Sequence, residues 1–297
     1  VNSTHPDSPW TGMVWSFKTT AASTAGKVVK PWRSNTAIVK PGNSFEVWFD
    51  ADTGQTVNSV ELHGPYNKVY PTSNVVTGDW EYDPMSGNRY NNRITVTVPA
   101  YAPADRYDIV LRTTSGVAVS YGGIKVVQDY KDSYYIMHIS DGHFYQHNYD
   151  TDVLMARQSE MLDMATIMDV PILIHTGDIS YNVRNHPERE DYIFLGKDDI
   201  GATGLARTSA ATFLVPGDHD AYLGNDWTNS SAQVNADFFN DYWGLQNYCF
   251  KYGNGRFMPF NNGWAVSTSD AKGHQYQVDE AIAWLAGEGS GGNFWLT

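Results

Sequence analysis

Three short apolar runs, each leading into a glycine flanked by Asp or His, constrain this chain more than any other feature. Ser133 to Ser140 leads into Asp141-Gly142-His143, Pro171 to His175 into Gly177-Asp178, and Thr212 to Val215 into Gly217-Asp218-His219-Asp220. Apolar runs of this length bounded by turn residues read as buried strands. Between the first two, Val153 to Met168 places Leu154, Met161, Ala165 and Met168 at helical spacing, which predicts a helix with those residues inward. Strand, helix, strand, loop-rich crossover, strand is an α/β layout. In such sheets ligands gather beyond the carboxyl ends of the strands, which is where all three motifs fall.

The residue types suit cations. A hard divalent ion takes carboxylate oxygens and neutral imidazole nitrogens, and two ions a few ångströms apart need a carboxylate between them. Asp178 is the natural bridge. Gly142, Gly177 and Gly217 allow sharp turns and close backbone approach beside those ligands. The weaker candidates are the in-strand His138 and His175, which read as buried support, and His147 and His186, which read as loop residues. Arg184, Arg189 and Arg207 are possible phosphate clamps with no spacing that chooses among them.

The first half has a different rhythm. Strands fit at Ser44-Phe49, Val57-Leu62, Arg93-Val98, Tyr107-Arg112, Val117-Ser120 and Ile124-Val127, with Thr113-Thr114-Ser115-Gly116 as a hairpin turn. Such spacing without a helical period predicts a β-sandwich of immunoglobulin or fibronectin type over residues 1–130, joined near Gln128 to Asp132 to a second domain over 131–297. Further on, Gln233 to Trp243 reads as a helix with Val234, Phe238 and Phe239 on one side. Tyr248-Tyr252 and Arg256-Phe260 read as a hairpin, and Gln277 to Ala286 as a last helix.

A net charge of -13 argues against a general nucleic-acid or anionic-membrane surface, while bound metals would supply the local positive charge a phosphoester substrate needs. The lone Cys249 excludes an intrachain disulfide and a cysteine zinc site. No apolar run approaches the roughly 18 residues of a membrane span. A first residue other than Met, sequons at Asn2 and Asn229, and a low-charge composition rich in Trp and Tyr lead to the expectation of a secreted, extracellular or periplasmic protein.

The motifs together resemble the calcineurin-like metallophosphoesterase superfamily, whose blocks are Asp-x-His, Gly-Asp, Gly-Asn-His-Asp/Glu, a later His, and Gly-His-x-His. The resemblance runs from about 131 to 286 and implies a four-layer αββα domain of α/β (α+β) class. It implies that Asp141 and His143 bind the first of two divalent or trivalent metal ions (Fe, Mn or Zn), that Asp178 bridges, and that Asp218 binds the second. His219 would face the substrate and stabilise or protonate the leaving oxygen, with Asp220 orienting it. Gly177-Asp178-Ile179-Ser180-Tyr181 is also similar to the Gly-Asp-x-x-Tyr block of purple acid phosphatases, which likewise carry an N-terminal β-sandwich. That similarity implies Tyr181 as a metal or substrate ligand, although His143 stands where that group has glycine.

Two departures matter. Asp218 replaces the usual Asn, adding a negative charge that lowers the Lewis acidity of its metal. The two late histidine blocks are not found, since Gly273-His274-Gln275-Tyr276 matches only half of Gly-His-x-His. The expectation is therefore a C-terminally incomplete domain. The function expected is hydrolysis of a small phosphate mono- or diester. The alternative is a non-catalytic extracellular structural or binding protein with a degenerate phosphoesterase domain.

Overall fold

Strict alternation builds the first half. In Ser44–Asp50, Phe45, Val47 and Phe49 point into the core while Ser44, Glu46 and Trp48 point away, the period of a half-buried strand. The computed structural model describes residues 26–51, 55–64, 68–78, 92–146, 148, 150–181, 187–196, 204–217, 219–220, 239, 242–245, 248–259, 282–287 and 293–296. Among the described residues the N-terminal half has nine strands: β1 (Lys27–Lys30), β2 (Ala37–Val39), β3 (Ser44–Asp50), β4 (Val57–His63), β5 (Val69–Pro71), β6 (Ser73–Gly78), β7 (Asn92–Thr97), β8 (Asp105–Thr113) and β9 (Val117–Val126). They make two sheets, β1-β3-β7-β6 and β2-β9-β8-β4-β5. Val47, Phe49, Ile94 and Val96 from one meet Val60, Leu62, Ile109, Leu111 and Ile124 from the other in a shared core. The Tyr107 hydroxyl donates to the Pro103 carbonyl at 2.8 Å, tying the start of β8 to the turn before it.

The expected break between Val117-Ser120 and Ile124-Val127 is one continuous strand, β9. Gly122 adopts φ 57 there, its N–H donates to Asp108 and its carbonyl accepts from Arg106, and the pairing with β8 shifts between Tyr107 and Ile109. Gly122 and Gly123 mark an irregularity in the ladder, and the strand runs through it.

The second half opens with three parallel strands in the order β10 (Ile136–Ile139), β11 (Ile172–His175), β12 (Ala211–Leu214). Helix α1 (Thr151–Ile167) connects the first pair, and Asp150 caps it by accepting from the Asp152 and Val153 N–H groups. Its inward face is Met155, Gln158, Leu162 and Ala165, whereas Met161 and Met168 are exposed, a rotation from the expected face. The reason is a buried polar residue: the Gln158 amide donates to the Ile193 carbonyl at 3.3 Å, so hydrophobicity alone misplaced the stripe. The crossover expected to be loop-rich carries a helix, α2 (Pro187–Leu195), with proline as its first residue, where the missing N–H costs nothing.

Alternate residues of β11 and β12 face opposite layers. Leu173 and Leu214 meet α1 and α2 through Met155, Leu162, Ile193 and Phe194. Ile172, Ile174 and Phe213 meet Tyr248, Tyr252 and Phe257 of the expected hairpin, now β13 (Phe250–Tyr252) and β14 (Gly255–Met258). β15 (Asn293–Leu296), which was not expected, pairs parallel to β14. The described residues thus stack helices, a parallel sheet and a second small sheet. Residues 282–287 are helical, running one residue beyond the end of the predicted last helix, and of the predicted 233–243 helix only Phe239, Tyr242 and Trp243 are among the described residues.

The two halves are stitched together. Residues 32–36 leave the sandwich and run along the open edge of β12: Thr36 N–H donates to the Thr212 carbonyl at 3.1 Å, Leu214 N–H to the Ser34 carbonyl at 2.8 Å, and Asn35 bridges Phe213. An exposed sheet edge is thereby covered. Arg106 of β8, fully buried, donates to the carbonyls of Gly122, Leu205, Thr208 and Ala210 and to the Thr212 hydroxyl. Burial lowers its pKa to about 10, which leaves it charged at neutral pH.

Candidate metal centre

Past their last paired residues, the loops after β10 and β11 remain zipped together. Asp141 N–H donates to the Gly177 carbonyl at 3.0 Å, His143 N–H to the Asp178 carbonyl at 2.9 Å, and Tyr181 N–H to the Phe144 carbonyl at 2.8 Å. Within this zipper Asp141, His143 and Asp178 all take left-handed backbone angles, with φ of 55, 46 and 53. Non-glycine residues rarely do so, and each costs about 1–3 kcal/mol unless its surroundings enforce it. Here the angles turn three side chains toward one point.

At that point His143 Nε2 lies 3.1 Å from Asp178 Oδ2 and 4.0 Å from Asp141 Oδ1. The loop after β12 brings in His219, whose backbone N–H donates to Asp178 Oδ1 at 3.0 Å and whose ring centroid is 4.8 Å from that of His143. His143, Asp178 and His219 each offer a donor atom, and these atoms lie within 4.8 Å of one another. Tyr181 covers the histidines, its ring 4.5 Å from His219 and 6.0 Å from His143. Asp178 is mostly shielded while Asp141 is open to solvent, so the cluster is lined by protein on one side and wet on the other.

Two glycines make this approach possible. A methyl group on Gly217 would overlap the Asp178 carboxylate, and one on Gly177, which sits at φ 102, would overlap the backbone of Gly217. The donor set suits a borderline or hard transition cation: two imidazoles and carboxylate oxygens on short strand-end loops.

His143 has a raised pKa; burial acts to lower it, but hydrogen bonds to Asp178 and Gln146 and the charges of Asp178 and Asp141 outweigh that. Asp220 is 1% exposed, and its carboxylate accepts from the N–H groups of Ile179, Ser180 and Gly217. It clamps the loop after β12 to the loop after β11, a bond set the sequence reading, which had it orient His219, did not include. Burial pushes its pKa up to about 7 against those three donors, with the Asp178 charge adding to the rise.

His175 is 2% exposed and its Nδ1 accepts from Gly177 N–H at 3.2 Å, so it supports the loop from inside. Burial, with a smaller push from His138, lowers its pKa to about 4. The folded pKa lies below the unfolded value, so stability is complete above about pH 6.5 and falls as pH drops toward 4, by about 3 kcal/mol from this group. In urea titrations His175→Asn, which keeps an acceptor for Gly177, is expected to flatten the decline between those pH values. An unchanged decline would assign it to other groups.

Of the remaining sequence candidates, His138 Nε2 bonds the Thr176 hydroxyl at 2.8 Å, Arg207 is exposed on the 3-10 turn Leu205–Arg207, and Arg189 lies 4.7 Å over the Tyr145 ring. Asp218, His147, Arg184, His186 and His274 lie outside the described residues. Gln146 was missed: its Oε1 is 3.1 Å from His143 Nδ1. Asking what holds the second nitrogen of a candidate ligand would have pointed to it.

No protein-family profile and no curated protein matches the chain. Among solved structures, an amylomaltase from Corynebacterium glutamicum aligns at 10% identity over 50% of this chain and 21% of its own, with a TM-score of 0.26. A DUF4784 family protein from Bacteroides caccae aligns at 17% identity over 37% of this chain and 27% of its own, with a TM-score of 0.17. The chain spans under a third of either, and at such scores neither likeness bears on fold or function.

Proposed function

We propose that this protein is a metal-dependent phosphoesterase of the calcineurin-like superfamily, hydrolysing phosphate mono- or diesters at a dinuclear centre. The observation that carries this reading is the convergence of His143, Asp178 and His219, with Asp141 beside them, at the carboxyl ends of three adjacent parallel strands. The stack of helices, parallel sheet and second sheet supports a four-layer αββα domain, and the Tyr107 to Pro103 bond supports an immunoglobulin-like sandwich.

Asp141, His143 and Asp178 would hold the first metal, with Asp178 shared and Asp218 toward the second. Bound ions of this kind supply Lewis acidity toward the phosphoryl oxygens and an activated water. Asp178 divides its two oxygens, one toward the His143 ring and one accepting the His219 backbone N–H. His219, whose ring centroid lies 4.5 Å from that of Tyr181, would donate a proton to the leaving oxygen rather than ligate the metal. Asp220 holds the backbone of both loops so that His219 stays on station.

The test is hydrolysis of p-nitrophenyl phosphate and bis(p-nitrophenyl) phosphate by the full chain. Turnover that a chelator abolishes and Mn, Zn or Fe restores is expected. Metal-loaded protein inert toward both esters would favour the non-catalytic alternative.

A further inference from the structure

His143 has two ring nitrogens, and the structure shows what each one faces. Nε2 lies 3.1 Å from Asp178 Oδ2 in the donor cluster, while Nδ1 lies 3.1 Å from the carboxamide oxygen of Gln146. The Gln146 N–H also donates to the His143 carbonyl at 3.2 Å, so backbone and side chain of Gln146 both close on the same residue. A carboxamide oxygen has only lone pairs to offer, so the nitrogen facing it carries a hydrogen in this bond; the Asp178 carboxylate makes the same demand of Nε2 until a cation takes the proton's place.

We propose that Gln146 is a positioning residue that keeps the proton of His143 on Nδ1 and so reserves Nε2 for a metal ion. A nitrogen that binds a metal gives up its proton, and a neutral imidazole keeps only one. Without an acceptor at Nδ1 that proton has a competing home on Nε2, where the Asp178 carboxylate accepts it, and the ring then presents no lone pair to the cluster. Gln146 gives the proton an acceptor on the far side of the ring, so that an ion arriving between Nε2 and Asp178 takes the place of the Nε2 contact while Nδ1–H stays bonded. Partners of this kind typically matter 10- to 100-fold in metal affinity.

The consequence for metal binding rests on the phosphoesterase reading, but the bond itself does not, so the experiment has two arms. In the first, 15N-histidine spectra of the metal-free full chain, with His143 assigned through His143→Asn, are expected to show an Nδ1–H resonance that disappears in Gln146→Met. In the second, zinc binding measured by calorimetry is expected to weaken about 10-fold or more in Gln146→Met and to recover in Gln146→Glu, which restores the acceptor. Zinc affinity within twofold of wild type in Gln146→Met would overturn the proposal. Equal loss in Gln146→Met and Gln146→Glu would also overturn it, since packing alone would then be responsible. Should the wild-type chain bind no zinc, the metal reading fails, and the first arm still decides: absence of the Nδ1–H resonance overturns the role of Gln146.

Discussion

Asp178→Asn is expected to lower metal affinity and phosphoester hydrolysis by about 1000-fold or more, equivalent to roughly 4 kcal/mol, while leaving the metal-free fold intact. The asparagine keeps an oxygen to accept the His219 N–H that Asp178 Oδ1 receives at 3.0 Å, so the loop after β12 retains its anchor. What it loses is the charge that a cation pair needs, at the residue that touches both histidine loops. In the metal-free protein that charge is a burden, because Asp178 adds to the rise in the Asp220 pKa. The substitution therefore removes a repulsion and an attraction together. Thermal melts separate the effects: added Mn or Zn raises the midpoint of the wild type and leaves that of Asp178→Asn unmoved. Equal metal-induced shifts in both proteins would remove Asp178 from the site.

The second large effect is structural. Arg106→Met is expected to destabilise the protein by about 3–5 kcal/mol, because it strands buried acceptors on both sides of the junction. The guanidinium serves four carbonyls and the Thr212 hydroxyl, and three of those carbonyls, at Leu205, Thr208 and Ala210, belong to the second half. At this chain length such a loss corresponds to a fall of about 10 °C in the melting midpoint. Arg106→Lys recovers only part of it, since a point charge with three donors cannot span the same fork of acceptors. If Arg106→Met melts within about 2 °C of the wild type, the junction does not depend on this residue.

Much of the architecture was legible because burial leaves a pattern. The alternation in β3 is a period only a strand satisfies, while β11 and β12, buried at every position, are marked as strands by their shortness and by the Gly-Asp endings where they stop. The junction was not legible. Arg33-Ser34-Asn35-Thr36 has no alternation, and its partners on β12 lie far along the chain, so nothing local announces an edge pairing. Nothing in the sequence singles out Arg106, because a buried cation is an exception that only its acceptors explain. The face of α1 was misjudged for a similar reason: Gln158 is inward because Ile193 offers it a carbonyl.

The candidate site divides the same way. His143, Asp178 and His219 come together because each follows one of three adjacent parallel strands, a placement that the order of the motifs along the chain announces. The bonds of Asp220 were not foreseeable, since backbone N–H groups of a neighbouring loop carry no sequence mark. Nor were the left-handed angles of Asp141, His143 and Asp178: Asp and His adopt them more readily than most residues, but it is the zipper between two loops that holds all three there.

A phosphoesterase with this site holds metal, and metal content is the most direct measurement of it. Elemental analysis of the protein purified from its source is predicted to find about two equivalents of Fe, Mn or Zn per chain, reduced to near zero in Asp178→Asn. Protein that carries none, and takes up none when Mn, Zn or Fe is supplied, contradicts the phosphoesterase reading.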